Sequence, residues 1–172
     1  MTQAPTLETD RLKLRAHCVD DFNSLAAMWA DPNVTRHIGG KPATSEEAWT
    51  RLLRYAGHWA LLGFGYWALE EKTSGAFAGE TGFADYKRIL DSPLKDAPEI
   101  GWAIAPAFHG KGYATEAVCA VVAWGDAHFG PVQTTCLIHP ENRASIRVAE
   151  KCGYRELRRT IYKDKPGLIF VR

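Results

Sequence analysis

The run Pro98–Ala117, PEIGWAIAPAFHGKGYATEA, constrains this chain more than any other part of it. Its opening alternates. Glu99, Gly101 and Ala103 fall on one face of a strand, and Ile100, Trp102 and Ile104 fall on the other. The strand runs into His109-Gly110-Lys111-Gly112, after which Tyr113-Ala114-Thr115 opens an amphipathic helix. Two glycines let the backbone approach a ligand closely, and a helix start aims unpaired N–H groups back at the loop. A strand, a glycine loop and a helix in this order form a receptor for a phosphate-bearing ligand, with a pyrophosphate resting on the amides from Gly110 to Thr115. The spacing is neither the GxxxxGK[ST] of nucleotide P-loops nor the GxGxxG of dinucleotide folds.

The bulk of the chain sets the limits around that element. Its 172 residues are most simply one domain, residues 1–172. A hydrophobic share of 46% with 24% charged residues is that of a water-soluble globular protein. A formal net charge of +1 gives no electrostatic case for nucleic acid or an anionic membrane as partner. No apolar run reaches the length of a membrane span, and Met1–Asp10 lacks a signal-peptide core. Cys18, Cys119, Cys136 and Cys152 have no CxxC spacing, which fits reduced, mostly buried thiols and a cytoplasmic setting. The six histidines show no HxxxH or HExxH spacing and there is no GxSxG elbow, so neither a metal site nor a serine hydrolase is expected.

Taken in order, Thr6–Ala16 predicts one strand, and Asp20-Asp21 caps a helix with Phe22, Leu25, Ala26 and Trp29 on a stripe. Asp31-Pro32-Asn33 stops it, and a short helical turn over Val34–Ile38 ends at Gly39-Gly40. Thr44-Ser45-Glu46-Glu47 is a capping box opening a helix whose apolar face is predicted as Trp49, Leu52, Leu53, Ala56 and Ala60. Tyr66–Lys72 and Ala76–Tyr86 read as an antiparallel pair around Thr73-Ser74-Gly75. Gly79 and Gly82 mark a bulge or a close backbone approach. Lys87–Pro98 is a polar loop assigned to the substrate side. The central helix runs to about Phe129 on Ala114, Ala117, Val118, Val121 and Val122, and Gly130-Pro131 closes it. Val132–Ile138 is a strand parallel to the central one, because a helix crosses between them. Asn142 caps a helix with Ile146, Ala149 and Cys152 inward and Gly153 at its end. Tyr154–Tyr162 and Gly167–Arg172 close the chain as strands.

The words EIGWAI and GKGYATEA resemble the acyl-CoA motif of the GNAT acetyltransferase superfamily, [Q/R]xxGx[G/A], in the branch that includes ribosomal-protein alanine N-acetyltransferases. Gly112 and Ala114 sit on the pattern, while His109 stands where the family usually has Gln or Arg. A second run, HPENRAS continuing to KCGY, resembles the family's NxxS…GF/GY element. The resemblance implies an α/β (α+β) fold: a mixed, mostly antiparallel sheet with a splayed parallel strand pair and flanking helices. It also implies acetyl-CoA as cofactor, with pantetheine lying along Trp102, Ala103, Ile104 and Ala105. The phosphates fall on His109, Gly110, Lys111, Gly112, Tyr113, Ala114 and Thr115, and Asn142 and Ser145 lie beside the pantetheine arm.

Acetyl transfer to an amine needs a base for the amine, polarisation of the thioester carbonyl and a proton for the leaving thiolate. The resemblance puts the base at Glu99 and a polarising N–H near Ala103. Many members place a tyrosine where this chain has Ala149, so the thiolate's proton is left to Ser145, water or a solvent relay. Trp29, Arg36 and His37 fall on the segment that borders the acceptor cleft. The expected reaction is direct transfer, in a ternary complex, to a primary amine of a protein N-terminus or a small molecule. An antibiotic or polyamine acceptor, or a non-catalytic acyl-CoA-binding sensor or assembly module, are the alternatives.

Overall fold

A computed structural model describes residues 4–90 and 96–172. Strands β1 (Leu7–Glu8) and β2 (Leu12–Arg15) come first. Helices α1 (Phe22–Ala30), α2 (Pro32–Thr35) and α3 (Ser45–Leu62) follow, then strands β3 (Tyr66–Glu71), β4 (Phe77–Ala84) and β5 (Glu99–Ile104). Helix α4 (Tyr113–Phe129), strand β6 (Thr135–Ile138), helix α5 (Arg143–Lys151) and strands β7 (Arg155–Tyr162) and β8 (Lys165–Val171) complete the chain. The eight strands form one sheet in the order β1-β2-β3-β4-β5-β6-β8-β7. Every neighbouring pair is antiparallel except β5 and β6, which α4 joins in parallel.

That parallel pair meets at one point. Glu99 stands opposite Thr135, the Thr135 N–H donates to Pro98 O at 3.0 Å, and from there the two strands part. On one face of the sheet, Ile100 and Ile104 of β5 pack with Ala117, Val118 and Val121 of α4 and Ala149 of α5. On the other, Ala103 packs with Leu25, Met28 and Trp29 of α1 and with Leu52 and Tyr55 of α3. The predicted alternation along β5 therefore holds, each face feeding its own core.

Gly79 and Gly82 do what their positions in β4 suggested. Leu69 pairs with Gly79 and Glu70 with Phe77, which leaves Ala78 as the extra residue of a bulge. Gly79 takes φ +147°, and a Cβ there would press on the Ala103 carbonyl and lie 2.9 Å from Ile104 Cα. A Cβ on Gly82 would lie 2.8 Å from the Gly65 carbonyl carbon. Both glycines let β4 run tight between its neighbours.

Four expectations need correction. The first strand is two, because Thr9 turns the chain back: its N–H donates to Leu12 O at 2.9 Å, making a hairpin of β1 and β2. Asp21 does not cap α1 with its side chain. A short 3-10 turn, Val19–Asp21, precedes the helix, and the Asp21 carboxylate accepts from the Cys18 N–H and from Arg15. The capping box of α3 is present, but its buried stripe is Ala48, Leu52, Tyr55 and Trp59, joined by His58. Trp49, Leu53, Ala56 and Ala60, each one residue further round the helix, face outward. Strand β6 begins at Thr135 because Val132 is exposed and makes no ladder. Residues 91–95 of the polar loop lie outside the described residues.

Two stability tests follow. Gly79→Ala introduces a side chain where φ is positive and the Ala103 carbonyl is in the way, and should cost about 3 kcal/mol or more in urea unfolding. A loss below about 1 kcal/mol would contradict the close approach. The second concerns His17, whose ring nitrogens have no hydrogen-bond partner and whose pKa burial pushes down to about 4. The unfolded chain binds this proton at about pH 6.5, so the stability from keeping the ring neutral is complete above that pH. It is lost as pH falls towards about 4. Between pH 7 and 4.5 the wild type should lose about 2–3 kcal/mol that His17→Phe does not lose. Parallel stability curves for the two proteins would refute the assignment.

Candidate active site

The site forms where β5 and β6 separate. Past Glu99 and Thr135, the β5 edge from Ile100 to Ile104 has no strand against it on the β6 side, so it opens a V-shaped cleft. The other edge of β5 is bound to β4, with Ala103 opposite Glu80, Ile104 opposite Gly79, and the Ala105 N–H donating to Ala78 O at 2.9 Å. A chain lying in the cleft meets the backbone along Trp102–Ala105 as a strand would.

The glycine loop closes the wide end. Gly110 and Gly112 have φ of +75° and +80°, and Gly112 is the N-cap of α4. A Cβ at Gly110 would meet nothing within 4 Å, and one at Gly112 would meet only Arg11 Nη2 at 3.5 Å. The outer side of the loop is therefore open to a ligand. Its inner side is tied down at several points. His109 Nε2 donates to Ile104 O at 2.7 Å, which binds the loop to the end of β5. Tyr113 Oη donates to Glu71 Oε1 at 2.5 Å, anchoring the start of α4 to β3. Lys111 has its ammonium 5.0 Å from the Phe108 ring. Ala114 and Thr115 form the first turn of α4, half-buried.

Arg11, Thr9 and Glu116 complete this support, and sequence reading missed them. Arg11 Nη1 donates to Lys111 O at 2.8 Å, its guanidinium pairs with Glu116 Oε2 at 2.6 Å, and its Cζ lies 4.4 Å from the Tyr113 ring centre. Thr9 Oγ1 donates to Glu116 Oε1 at 2.6 Å. The β1–β2 turn thus clamps the loop from about a hundred residues away along the chain, a separation at which no local pattern carries a signal.

On the β6 side, Asn142 caps α5, its Oδ1 accepting the Ser145 N–H at 3.1 Å. That bond uses the side-chain oxygen and not the NH2. Ser145 is half-buried in the first turn.

At the narrow end, Glu99 is held by a two-point ion pair. Arg88 Nε and Nη2 donate to its two oxygens at 2.7 and 2.8 Å. A cavity of about 20 Å³ opens there, lined by Glu99, Arg88, Tyr86, Thr135 and Cys136 among others. The Arg88 Cζ lies 4.5 Å from the Tyr86 ring centre, and Tyr86 Oη donates to Tyr66 Oη at 3.0 Å.

Trp29, Arg36 and His37 do not share one environment. Trp29 is buried, and its Nε1 donates to Glu80 Oε1 at 3.1 Å. Arg36 is exposed beside a surface depression with Asn33 and Gly40. His37 stacks on His139, ring centres 5.3 Å apart.

Ligand atoms of His37, His139 and Glu141 lie within 4.8 Å of one another. The rings stack rather than converge edge-on, and His139 Nδ1 accepts the Glu141 N–H. That arrangement orders the loop, and it brings three possible ligand groups together where the histidine spacing gave no metal site.

Glu80 is the second group the sequence did not single out. It is fully buried in β4, accepts from Tyr55 Oη and Trp29 Nε1, and leaves Oε2 without a partner. Burial drives its pKa up, opposed by the Arg51 charge. Arg51 lies flat on Trp29, Cζ 3.6 Å from the ring centre, with its Nε buried and unpartnered. An unmet buried donor or acceptor costs about 1–3 kcal/mol.

Comparison with known proteins matches this geometry. The Acetyltransferase (GNAT) domain family covers residues 11–155. The protein YkkB of Bacillus subtilis (strain 168) is 33% identical over 181 residues, spanning 100% of this chain and 98% of its own. The structure of a GnaT-family acetyltransferase from Bordetella pertussis superposes with TM-score 0.87 at 31% identity, covering 98% of this chain and 99% of that one. The aminoglycoside acetyltransferase AAC(6′)-Ib in complex with coenzyme A shares the fold, with TM-score 0.75 at 17% identity over 94% of each chain. No helix among the described residues is long and apolar enough to cross a membrane. With the split β5–β6 pair and the glycine loop before α4 in place, this chain belongs to the GNAT family and is an acetyltransferase.

Proposed function

We propose that the protein transfers the acetyl group of acetyl-CoA directly to a primary amine within a ternary complex. The observation that carries this reading is the single contact between β5 and β6. It leaves an unpaired β5 edge leading from the open glycine loop down to a carboxylate. Acetyl-CoA fits that path. Its pyrophosphate meets the amides from Gly110 to Thr115 and its pantetheine lies along Trp102–Ala105, with Asn142 and Ser145 on the facing helix. The known binding of coenzyme A by the AAC(6′)-Ib relative supports the same cofactor here.

The base assigned to the amine is Glu99. Both its oxygens already accept from Arg88, so the working unit is the Arg88–Glu99 pair. The second lone pair of each oxygen is left to take the proton, directly or through one water. Arg88 fixes the carboxylate's direction. The thiolate's proton comes from Ser145 or solvent, since Ala149 has no acid to offer. The acceptor is a protein N-terminus or a small amine. The two-point grip on Glu99 also favours a second reading, an acyl-CoA sensor without turnover. Acceptor-dependent release of free thiol from acetyl-CoA separates the two.

Two variants test the roles. Glu99→Gln at saturating acetyl-CoA should lower kcat by roughly 10²–10⁴ while acetyl-CoA affinity barely moves. Its kcat/KM should keep only the rise with pH that belongs to the amine. Near-wild-type turnover would remove Glu99 as base. Asn142→Asp keeps the cap but cannot donate, so it should melt like the wild type and bind acetyl-CoA more weakly. Unchanged affinity would confine Asn142 to capping.

A further inference from the structure

The tip of the β7–β8 hairpin reaches the Arg88–Glu99 pair. Strand β7 ends the sheet, with β8 on one side and, among the described residues, no strand on the other. Most of its residues are exposed. Tyr162, its last residue, is half-buried between exposed Ile161 and Lys163. It packs on Arg88, whose Cζ lies 4.8 Å from the Tyr162 ring centre and 4.5 Å from that of Tyr86. The guanidinium thus touches two tyrosine rings while two of its N–H groups hold the Glu99 oxygens. The Tyr162 hydroxyl is a further hydrogen-bond partner of Arg88.

The backbone around this contact is distinctive. Among the described residues, the non-glycine positions with positive φ are Lys87, Lys163 and Asp164, at +46°, +50° and +62°. Lys87 precedes Arg88. Lys163 and Asp164 follow Tyr162, which pairs with Lys165 across them. Positive φ at both positions of a two-residue hairpin turn is the type I′ geometry, usually built from Asn and Gly. A lysine there is disfavoured, and such backbone persists where the surrounding contacts fix it. One of those contacts is the Lys165 Nζ, which donates to Gly39 O at 2.5 Å and ties the hairpin tip to the loop after α2.

A carboxylate acts as a base only while it faces the acceptor nitrogen. Arg88 sets that direction for Glu99, yet Arg88 itself stands outside any helix or strand. Its long side chain needs support from elsewhere, and the two rings supply it. Cation–π attraction is strongest where water is excluded, and the Arg88 and Glu99 side chains are 22% and 15% exposed. Tyr86 is fixed in turn by its hydroxyl bond to Tyr66, and Tyr162 by the tight turn that follows it.

We propose that Tyr162 is a positioning residue for acetyl transfer: it holds Arg88, and through Arg88 it aims the Glu99 carboxylate. This rests on the reading of Glu99 as the base and adds the β7–β8 hairpin to the site.

Two measurements test it. The first needs no acceptor. In ¹⁵N-labelled protein, the Arg88 Nε–H is the side-chain signal missing from Arg88→Lys, and its exchange with water reports how firmly the guanidinium is held. Tyr162→Leu should speed that exchange roughly tenfold, and Tyr162→Phe, which keeps the ring, should speed it less. The second is kcat at saturating acetyl-CoA, with spermidine or a tripeptide bearing a free N-terminal alanine as acceptor, whichever is acetylated faster. Tyr162→Leu should lower kcat roughly tenfold at unchanged acetyl-CoA affinity, and Tyr162→Phe should retain most of the wild-type rate. In a Glu99→Gln background the leucine substitution should change kcat less than about twofold, because the group it aims is gone. Unaltered exchange, unaltered kcat, or an equal loss with and without Glu99 would overturn the role of Tyr162. If neither amine is acetylated, the exchange rate decides alone. Near-wild-type turnover by Glu99→Gln would instead strike the base assignment.

Discussion

One backbone hydrogen bond, from the Thr135 N–H to Pro98 O, marks where the sheet stops being continuous. Above it, β5 gives up the pairing a central strand normally has on both edges, and unmet backbone groups in a protein interior are costly. The fold tolerates this because the open edge faces a cleft. The surrounding elements keep that cleft open. α4 crosses between the strands on one face, α1 and α3 support the other, and β8 holds β6 from its far side through four paired residues.

The rigidity of β5 then depends on β4. With only one neighbour along most of its length, β5 needs that neighbour to lie close, and Gly79 makes that approach possible, while Gly82 lets the chain entering β3 come close on the other side of β4. The same strand that stiffens the cleft delivers a buried carboxylate, Glu80, where Tyr55, Trp29 and Arg51 gather over it. Packing and chemistry share one element here. A change at Gly79 acts through the β5 backbone, and a change at Arg51 or Glu80 acts through the buried cluster they share with Tyr55 and Trp29.

The glycine loop shows the same economy. Its conformation is local, set by two positive φ values and a helix start, but its position is not. Arg11, Glu116, Tyr113 and Glu71 fasten it to the β1–β2 turn and to β3. His109 departs from the residue usual in the family and spends its ring N–H on Ile104 O. It holds the loop rather than reaching outward from it.

What the sequence determined by itself was whatever is written in neighbouring residues. The alternation along Glu99–Ile104 named both faces of β5, the glycines before Tyr113 named the loop, the Thr44–Glu47 box named the start of α3, and Asn142 named the cap of α5. The motifs of the second half were enough to indicate the family. Tertiary structure decided everything that depends on which distant groups meet. It chose Ala48, Leu52, Tyr55 and Trp59 over Trp49 and Leu53 as the inner face of α3, since two apolar stripes competed on one helix and only the sheet could select between them. It paired Glu99 with Arg88, set Arg11 under the loop, and brought Glu80 together with Tyr55 and Trp29. Side-chain electrostatics acts over a few ångströms of space, whatever the distance along the chain, so these partners left no trace in the local pattern.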